Sequence, residues 1–185
     1  LDIARALELD GSYAEEAFQN PQDPVSNFDL SDVYKQLEDY LRRNPDDIPG
    51  LFLRGLNGTV RVFFGAPATE LGPARAALDR VVALSPRHAF AYACRGYLRQ
   101  AQGDLDGALE DVRRAEKLDG KRTFGPFLAA VVLAKKGERA AALDAIERAV
   151  GRGFRSLARL KGEPAFEPLR DDERWKAVVR RLTPG

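Results

Sequence analysis

Residues 89–120 read AFAYACRGYLRQAQGDLDGALEDVRRAEKLDG, and their small residues and turn return at one fixed offset. Gly103 recurs as Gly137, Ala108 as Ala142 and Ala115 as Ala149, each 34 residues later. A period of that length is the signature of stacked helical hairpins. Within the unit, Tyr92, Arg95, Gly96 and Arg99 share one side of a first helix, Gly103-Asp104 breaks it, and Ala108, Val112 and Ala115 mark a second. Gly103 can take the left-handed conformation that closes a helix, and Asp104 can cap the next one. With the hairpin closed, Ala108 faces Gly96. Neither has bulk, so the two helices can approach toward the short end of the usual ~8–10 Å interaxial range.

At these residues the chain resembles the tetratricopeptide repeat family. The family's aromatic, leucine-glycine, tyrosine, alanine, phenylalanine, alanine and proline landmarks fall on Tyr92, Arg95-Gly96, Arg99, Ala108, Val112, Ala115 and Gly120. Arg95, Arg99 and Gly120 depart from the pattern. The second copy, with Ala129-Ala130, Leu133, Gly137, Ala142, Ile146 and Ala149, carries the small residues and the spacing together. The resemblance implies an all-α, right-handed α-α superhelix, a solenoid of antiparallel helix hairpins.

The chain has 185 residues, 44% of them hydrophobic and 31% charged, which suits one soluble unit or a short solenoid. No apolar run approaches the ~18 residues of a membrane span, so no membrane insertion is expected. Cys94 is the single cysteine, which rules out an internal disulfide and a cysteine-based zinc site. The compartment stays open, with the cytoplasm favoured. A start at Leu1 and the lack of methionine point to a processed protein or a domain cut from a longer one, and Ala-, Arg- and Gly-rich usage to a bacterial source. The net charge of +1 hides an asymmetry: residues 1–50 carry −8 and residues 51–185 carry +9. Such blocks can mark interaction surfaces or simply a solvated helical exterior.

Taken in order, residues 1–30 read as an acidic, partly irregular segment. Leu1–Gly11 reads either as the end of a repeat's second helix or as an ordinary short amphipathic helix, a short helix is expected around Tyr13–Phe18, and NPQDPVSNFD is an irregular connection. Asp29 or Ser31 caps a helix through Arg43 with Val33, Tyr34, Leu37, Tyr40 and Leu41 on one face, and Asn44-Pro45 ends it. Residues 31–150 read as helical hairpins. Asp47 caps a helix with Pro49 in its first turn, and Leu53-Arg54-Gly55 echoes Cys94-Arg95-Gly96 at 41 residues rather than 34. The seven extra residues belong in the connection 63–73, before a helix carrying Ala77, Leu78, Val81, Val82 and Leu84. That lengthened loop is either a contact site or an inert insertion. Residues 151–185 break the regularity with a short helix, a Pro-flanked loop and a final helix. They resemble the end-of-group segment of bacterial tetratricopeptide arrays at Gly153-Phe154, Leu157, Leu160, Phe166, Leu169-Arg170 and Trp175. Physically, the last hairpin has no successor and needs a cover for its apolar side.

Chemistry is sparse in this sequence. His88 and Cys94 are the one conceivable base and nucleophile, but six helical residues set two side chains about 120° apart. His88 reads as a cap or turn residue and Cys94 as a small buried hydrophobe. Pairs such as Glu110-Asp111 and Asp171-Asp172 read as solvated or capping acids. No phosphate-binding loop, serine elbow or metal cluster is present. The reading is a non-catalytic chain with no cofactor and no metal.

Binding remains. In the resembled fold the first helix of each hairpin lines the concave groove, which places Phe90, Ala93, Cys94 and Tyr97, then Phe124, Phe127, Leu128 and Val131 there, with Phe52, Leu53 and Leu56 in the stretched hairpin. The predicted partner-contacting residues are Phe52, Leu56, Phe90, Tyr97, Phe124, Phe127, Leu128 and Val131. The family's lysine, asparagine and arginine clamp for a peptide carboxylate is missing. An apolar groove takes an amphipathic helix or hydrophobic peptide. Alternatively it is filled from within by the acidic N-terminal segment or the Trp175 helix, because exposed apolar patches of that size are uncommon on monomers. Self-association into a homo-oligomer is a third outcome. Nucleic-acid binding is disfavoured: Arg113-Arg114, Lys121-Arg122, Lys135-Lys136 and Arg180-Arg181 are scattered among acids and follow no groove-reading motif.

Overall fold

The computed structural model describes residues 31–63, 71–121 and 124–183. These form α1 (Ser31–Arg43), α2 (Ile48–Phe63), α3 (Gly72–Leu84), α4 (Ala89–Ala101), α5 (Leu105–Leu118), α6 (Phe124–Lys135), α7 (Arg139–Gly151), α8 (Leu157–Gly162), a 3-10 helix (Pro164–Leu169) and α9 (Glu173–Leu182), with no strand among the described residues. The expectations for Leu1–Gly11, Tyr13–Phe18, the following connection and the side chains of Val33 and Tyr34 lie outside them.

Three hairpins, α2–α3, α4–α5 and α6–α7, stack in sequence, with α2 against α4 and α4 against α6. Their turns repeat one device. Gly103 and Gly137 take φ of +84° and +77°, a region closed to most L-residues. The next amide then reaches back across the helix end, Asp104 N–H to Arg99 C=O at 2.9 Å and Glu138 N–H to Leu133 C=O at 2.9 Å. Gly153, at φ +107°, ends α7 in the same way through Phe154 N–H and Ala149 C=O. Orphan carbonyls of each helix end are thereby satisfied. Side chains cap the following helices: Asp47 accepts from Gly50 N–H, Asp104 from Gly107 N–H, and Asp172 from Arg174 N–H.

Hairpin packing follows the small residues. A methyl group at Gly96 would lie 3.2 Å from the Ala108 carbonyl oxygen and 3.2 Å from Val112 Cγ2. In α2–α3 the approach is closer still, because a methyl at Gly55 would fall 2.3 Å from Leu78 Cγ and one at Gly58 2.2 Å from Ala74 Cβ. The third hairpin puts fully buried Ala130 and Ala142 at the matching positions. The second helices hold the 34-residue period through all three units: Ala74, Ala108 and Ala142 align, as do Leu78, Val112 and Ile146. Irregularity is therefore confined between Gly55 and Ala74. Here the expected 63–73 connection shrinks, since α2 runs to Phe63 and Gly72 already opens α3; residues 64–70 lie outside the described set.

One expectation is overturned. Asp111 is no solvated acid; it is 2% exposed and occupies the register filled by Ala77 and Ala145 in the neighbouring hairpins. Its carboxylate accepts from Arg95 Nη2 at 2.6 Å and Nε at 2.8 Å, and Arg99 Nη1 lies 3.0 Å away. Asp79 takes the remaining face of Arg95 at 2.9 Å. Burial works against the Arg95 charge, but the bonds to Asp111 and Asp79 hold its pKa above the ordinary value. Arg95 and Arg99, two of the three departures from the family pattern, are thus the partners of Asp111. A buried carboxylate needs such partners, since its isolated ionised form is very costly in a low-dielectric interior.

The segment after α7 covers the last hairpin. Phe154, Leu160, Phe166, Leu169 and Trp175 are buried, the 3-10 helix packs on α6 and α9 on α7. The expected Pro-flanked loop is itself the 3-10 helix, with Pro164 at its start.

Candidate functional site

Helices α2, α4 and α6 lie side by side, so their residues on the face away from α3, α5 and α7 form one surface. Phe52, Leu56 and Tyr97 are half-buried there, whereas Phe90, Phe124, Phe127, Leu128 and Val131 are buried. Aromatic contacts connect them across helices. Phe52 meets His88 at 4.5 Å and Phe90 at 5.7 Å between ring centroids. Phe90 meets Phe124 edge-on at 6.2 Å, and Tyr97 meets Phe124 at 6.1 Å. Each such pair adds about 0.5–1.5 kcal/mol beyond its buried area.

The surface changes character at α6. Every residue from Phe124 to Leu133 is buried, and a helix apolar on all sides is a core helix. Phe127 stacks on Phe154 at 4.8 Å and meets Phe166 edge-on at 5.7 Å, with Trp175 a further 5.7 Å behind Phe166. The C-terminal segment therefore reaches the groove through Phe154 and Phe166, and Trp175 supports them from behind. Arg159 of α8 lies over the Phe127 ring, 5.4 Å from its centroid.

A pocket of about 270 Å³ remains between α4, α6 and the C-terminal segment. Tyr97, Phe124, Phe127, Leu128 and Val131 line it, so five of the eight predicted residues converge on one cavity. Phe52, Leu56 and Phe90 lie outside it, farther along the surface. Its polar residues, Gln100, Lys135, Arg159 and Glu163, were not among those the sequence assigned to the groove. Gln100 and Lys135 sit on helices already assigned to the groove and were discoverable by extending the helical register. Arg159 and Glu163 come from a segment with no repeat register to place them.

Desolvation dominates the pocket's electrostatics. Burial pushes Arg159 down to about 10, with Tyr97 and Glu163 acting in the opposite sense. Burial likewise raises the Tyr97 phenol, and Arg159 works against that rise. The pocket thus sets buried apolar side chains beneath four polar ones, and the polar atoms supply most of the surface it exposes.

His88 is committed to structure: its Nδ1 accepts from Ala91 N–H at 3.1 Å at the start of α4, while Cys94 is fully buried. Among the described residues no group of three His, Cys, Asp or Glu side chains could hold a metal ion, and no helix is long and apolar enough to cross a membrane. Of the basic pairs, Lys136 binds Asp106 at 2.6 Å and Arg114 lies over the Tyr92 ring.

No family model matches the sequence. Human tetratricopeptide repeat protein 36 is 33% identical over 110 residues, covering 58% of this chain and 57% of the relative. Its mouse counterpart is 43% identical over 61 residues, 31% of this chain and 33% of the relative. The match thus spans about half the length of the human relative and a third of the mouse one. Among solved structures, MamA superposes with a TM-score of 0.66 at 17% identity, over 86% of this chain and 90% of MamA. The Yersinia enterocolitica type III secretion translocator chaperone SycD does so with 0.50 at 22% identity, over 75% and 96%. Both likenesses are of fold.

Proposed function

We infer that this tetratricopeptide-repeat solenoid is a non-catalytic protein-interaction module that takes a helical or hydrophobic peptide segment on its concave face. The observation that carries the reading is the cavity of about 270 Å³ where Tyr97, Phe124, Phe127, Leu128 and Val131 meet a polar rim. A side chain entering it meets the Tyr97 ring and the polar groups of the mouth, and burying its apolar part contributes at most about 1.5–3 kcal/mol for a leucine or phenylalanine. Gln100, Lys135 and Glu163 at the edge orient the backbone or flanking groups of the ligand. The half-buried Phe52 and Leu56 extend the contact along α2, which suits a segment of several turns with apolar residues on one face. Phe127 holds the floor in place and reaches the ligand only as a wall.

The test is a random-peptide display selection on the immobilised chain, followed by anisotropy titration of the selected peptides. They should share apolar anchors, and Tyr97→Glu should weaken them about tenfold or more, which is about 1.4 kcal/mol per decade. Equal affinity for the wild type and Tyr97→Glu would remove the groove from the function.

A further inference from the structure

The C-terminal segment has a second concavity, of about 470 Å³, lined by Lys161 of α8, Arg170 after the 3-10 helix, and Trp175, Lys176, Val179 and Arg180 of α9. It follows from the periodicity of α9. Trp175, Val178 and Leu182 turn inward and are buried, which leaves Lys176, Val179 and Arg180 at i, i+3 and i+4 along an adjoining face. The indole edge and Val179 make the walls largely apolar, and four cations ring them.

Two of the four cations are compensated. Arg170 binds Glu167 at 2.9 Å and donates to the Lys161 carbonyl at 3.0 Å; Lys176 binds Glu173 at 2.7 Å. Among the described residues Lys161 makes no ion pair, and Arg180 makes no contact pair but feels Glu173 through space, the same acid that binds Lys176. Lys176 and Arg180, a like-charged pair at i and i+4, share the single carboxylate of Glu173, so the pair keeps a positive excess. Placing such a pair beside an apolar wall favours a ligand with both negative charge and apolar bulk.

We propose that this pocket docks an acidic peptide segment bearing one large apolar side chain. Its carboxylates pair with Lys161 and Arg180, and its apolar side chain packs on Trp175 and Val179. The apolar wall favours a peptide over a phosphodiester backbone, which would meet the cations and bury nothing apolar.

Trp175 is the chain's only tryptophan, so its emission reports on this pocket directly. The probe is the synthetic peptide Asp-Glu-Leu-Phe-Asp-Glu, titrated into the full chain at low salt, with a lysine-for-acid control. A saturable emission change is expected, and the doubly substituted Lys161→Glu, Arg180→Glu chain should bind about tenfold or more weakly. Both positions are at the surface, so an unchanged melting temperature certifies the fold. Tyr97→Glu, in the groove, should leave this titration unaltered, which separates the two sites. No emission change, equal binding by the doubly substituted chain, or equal binding of the control peptide overturns the proposal. A response to protein concentration, duplex DNA or anionic vesicles with none to the peptide overturns it as well.

Discussion

Replacing Asp111 with asparagine keeps the shape of the side chain and removes its charge. In the folded chain Asp111 is 2% exposed and meets three guanidinium nitrogens at 2.6, 2.8 and 3.0 Å. Asparagine offers one oxygen where there were two, and turns an N–H₂ donor toward an arginine donor. Arg95 and Arg99, with side chains 13% and 17% exposed, would keep their charges without the central counter-ion. Breaking a buried pair in this way costs about 3–5 kcal/mol. Asp79 still reaches Arg95, and both arginines touch solvent, so the lower end, about 3 kcal/mol, is expected. At ~2–4 °C per kcal/mol for a chain of this size, the melting temperature falls by roughly 6–12 °C. Urea unfolding followed by circular dichroism, in parallel with calorimetry, measures it. The third hairpin supplies the control. At the registers of Arg95, Arg99 and Asp111 it has Ala129, Leu133 and Ala145, all buried. The triple change Arg95→Ala, Arg99→Leu, Asp111→Ala should therefore recover most of what Asp111→Asn alone loses, because an apolar set replaces an ionic one without orphaning a charge. A loss within ~0.5 kcal/mol for Asp111→Asn, the range of ordinary surface changes, would refute the buried-network reasoning.

Other outcomes follow from the same packing. Gly55→Ala drives a methyl to 2.3 Å from Leu78 Cγ and should cost about 1–3 kcal/mol as an overpacked core; adding Leu78→Ala relieves the clash, and failure of that rescue in urea unfolding would contradict the register. Phe127→Glu places a carboxylate between Phe154 and Phe166 and should lower stability by at least the ~3–5 kcal/mol of a lost core phenylalanine, whereas a folded chain of unchanged melting temperature would show that Phe127 is not core. Hydrogen bonds from Arg174 to Glu147, from Lys136 to Asp106 and from Arg80 to Asp46 hold these carboxyls below their ordinary pKa values, against the pull of burial. Folded values below unfolded ones mean stability that is present above the unfolded pKa near ~4 and lost as pH falls through the folded values. Melting temperature should accordingly drop below about pH 4, less steeply in Arg174→Gln; a wild-type profile flat through that window would exclude these pairs.

The hairpins were legible because their signals are local and repeated. A turn glycine at φ > 0, an aspartate three residues before an amide it caps, and a small residue every 34 positions each act within a few residues of chain. The grouping of Tyr97, Phe124, Phe127, Leu128 and Val131, which line one cavity, was expected from the same register, carried over through the family resemblance. The buried acid was also within reach, since Asp111 stands where Ala77 and Ala145 stand and two arginines appear where Ala129 and Leu133 appear. Reading each acid by its neighbours in sequence hid that.

What tertiary structure alone decided is which surface covers which. Helical periodicity states that a face is apolar and leaves open whether solvent, a partner or a distant part of the chain meets it. Phe127 is closed by Phe154 and Phe166, and the rim of the pocket pairs Tyr97 with Arg159, residues separated by most of two hairpins and brought together by stacking. The pKa of Arg159 is lowered to about 10 by burial that no run of neighbouring residues encodes. Sequence by itself determined the repeat and its turns, because backbone geometry and capping depend on nearby residues. Packing of the C-terminal segment onto α6 and the covering of Phe127 by Phe154 and Phe166 depended on contacts between distant residues, and those exist only once the chain is folded.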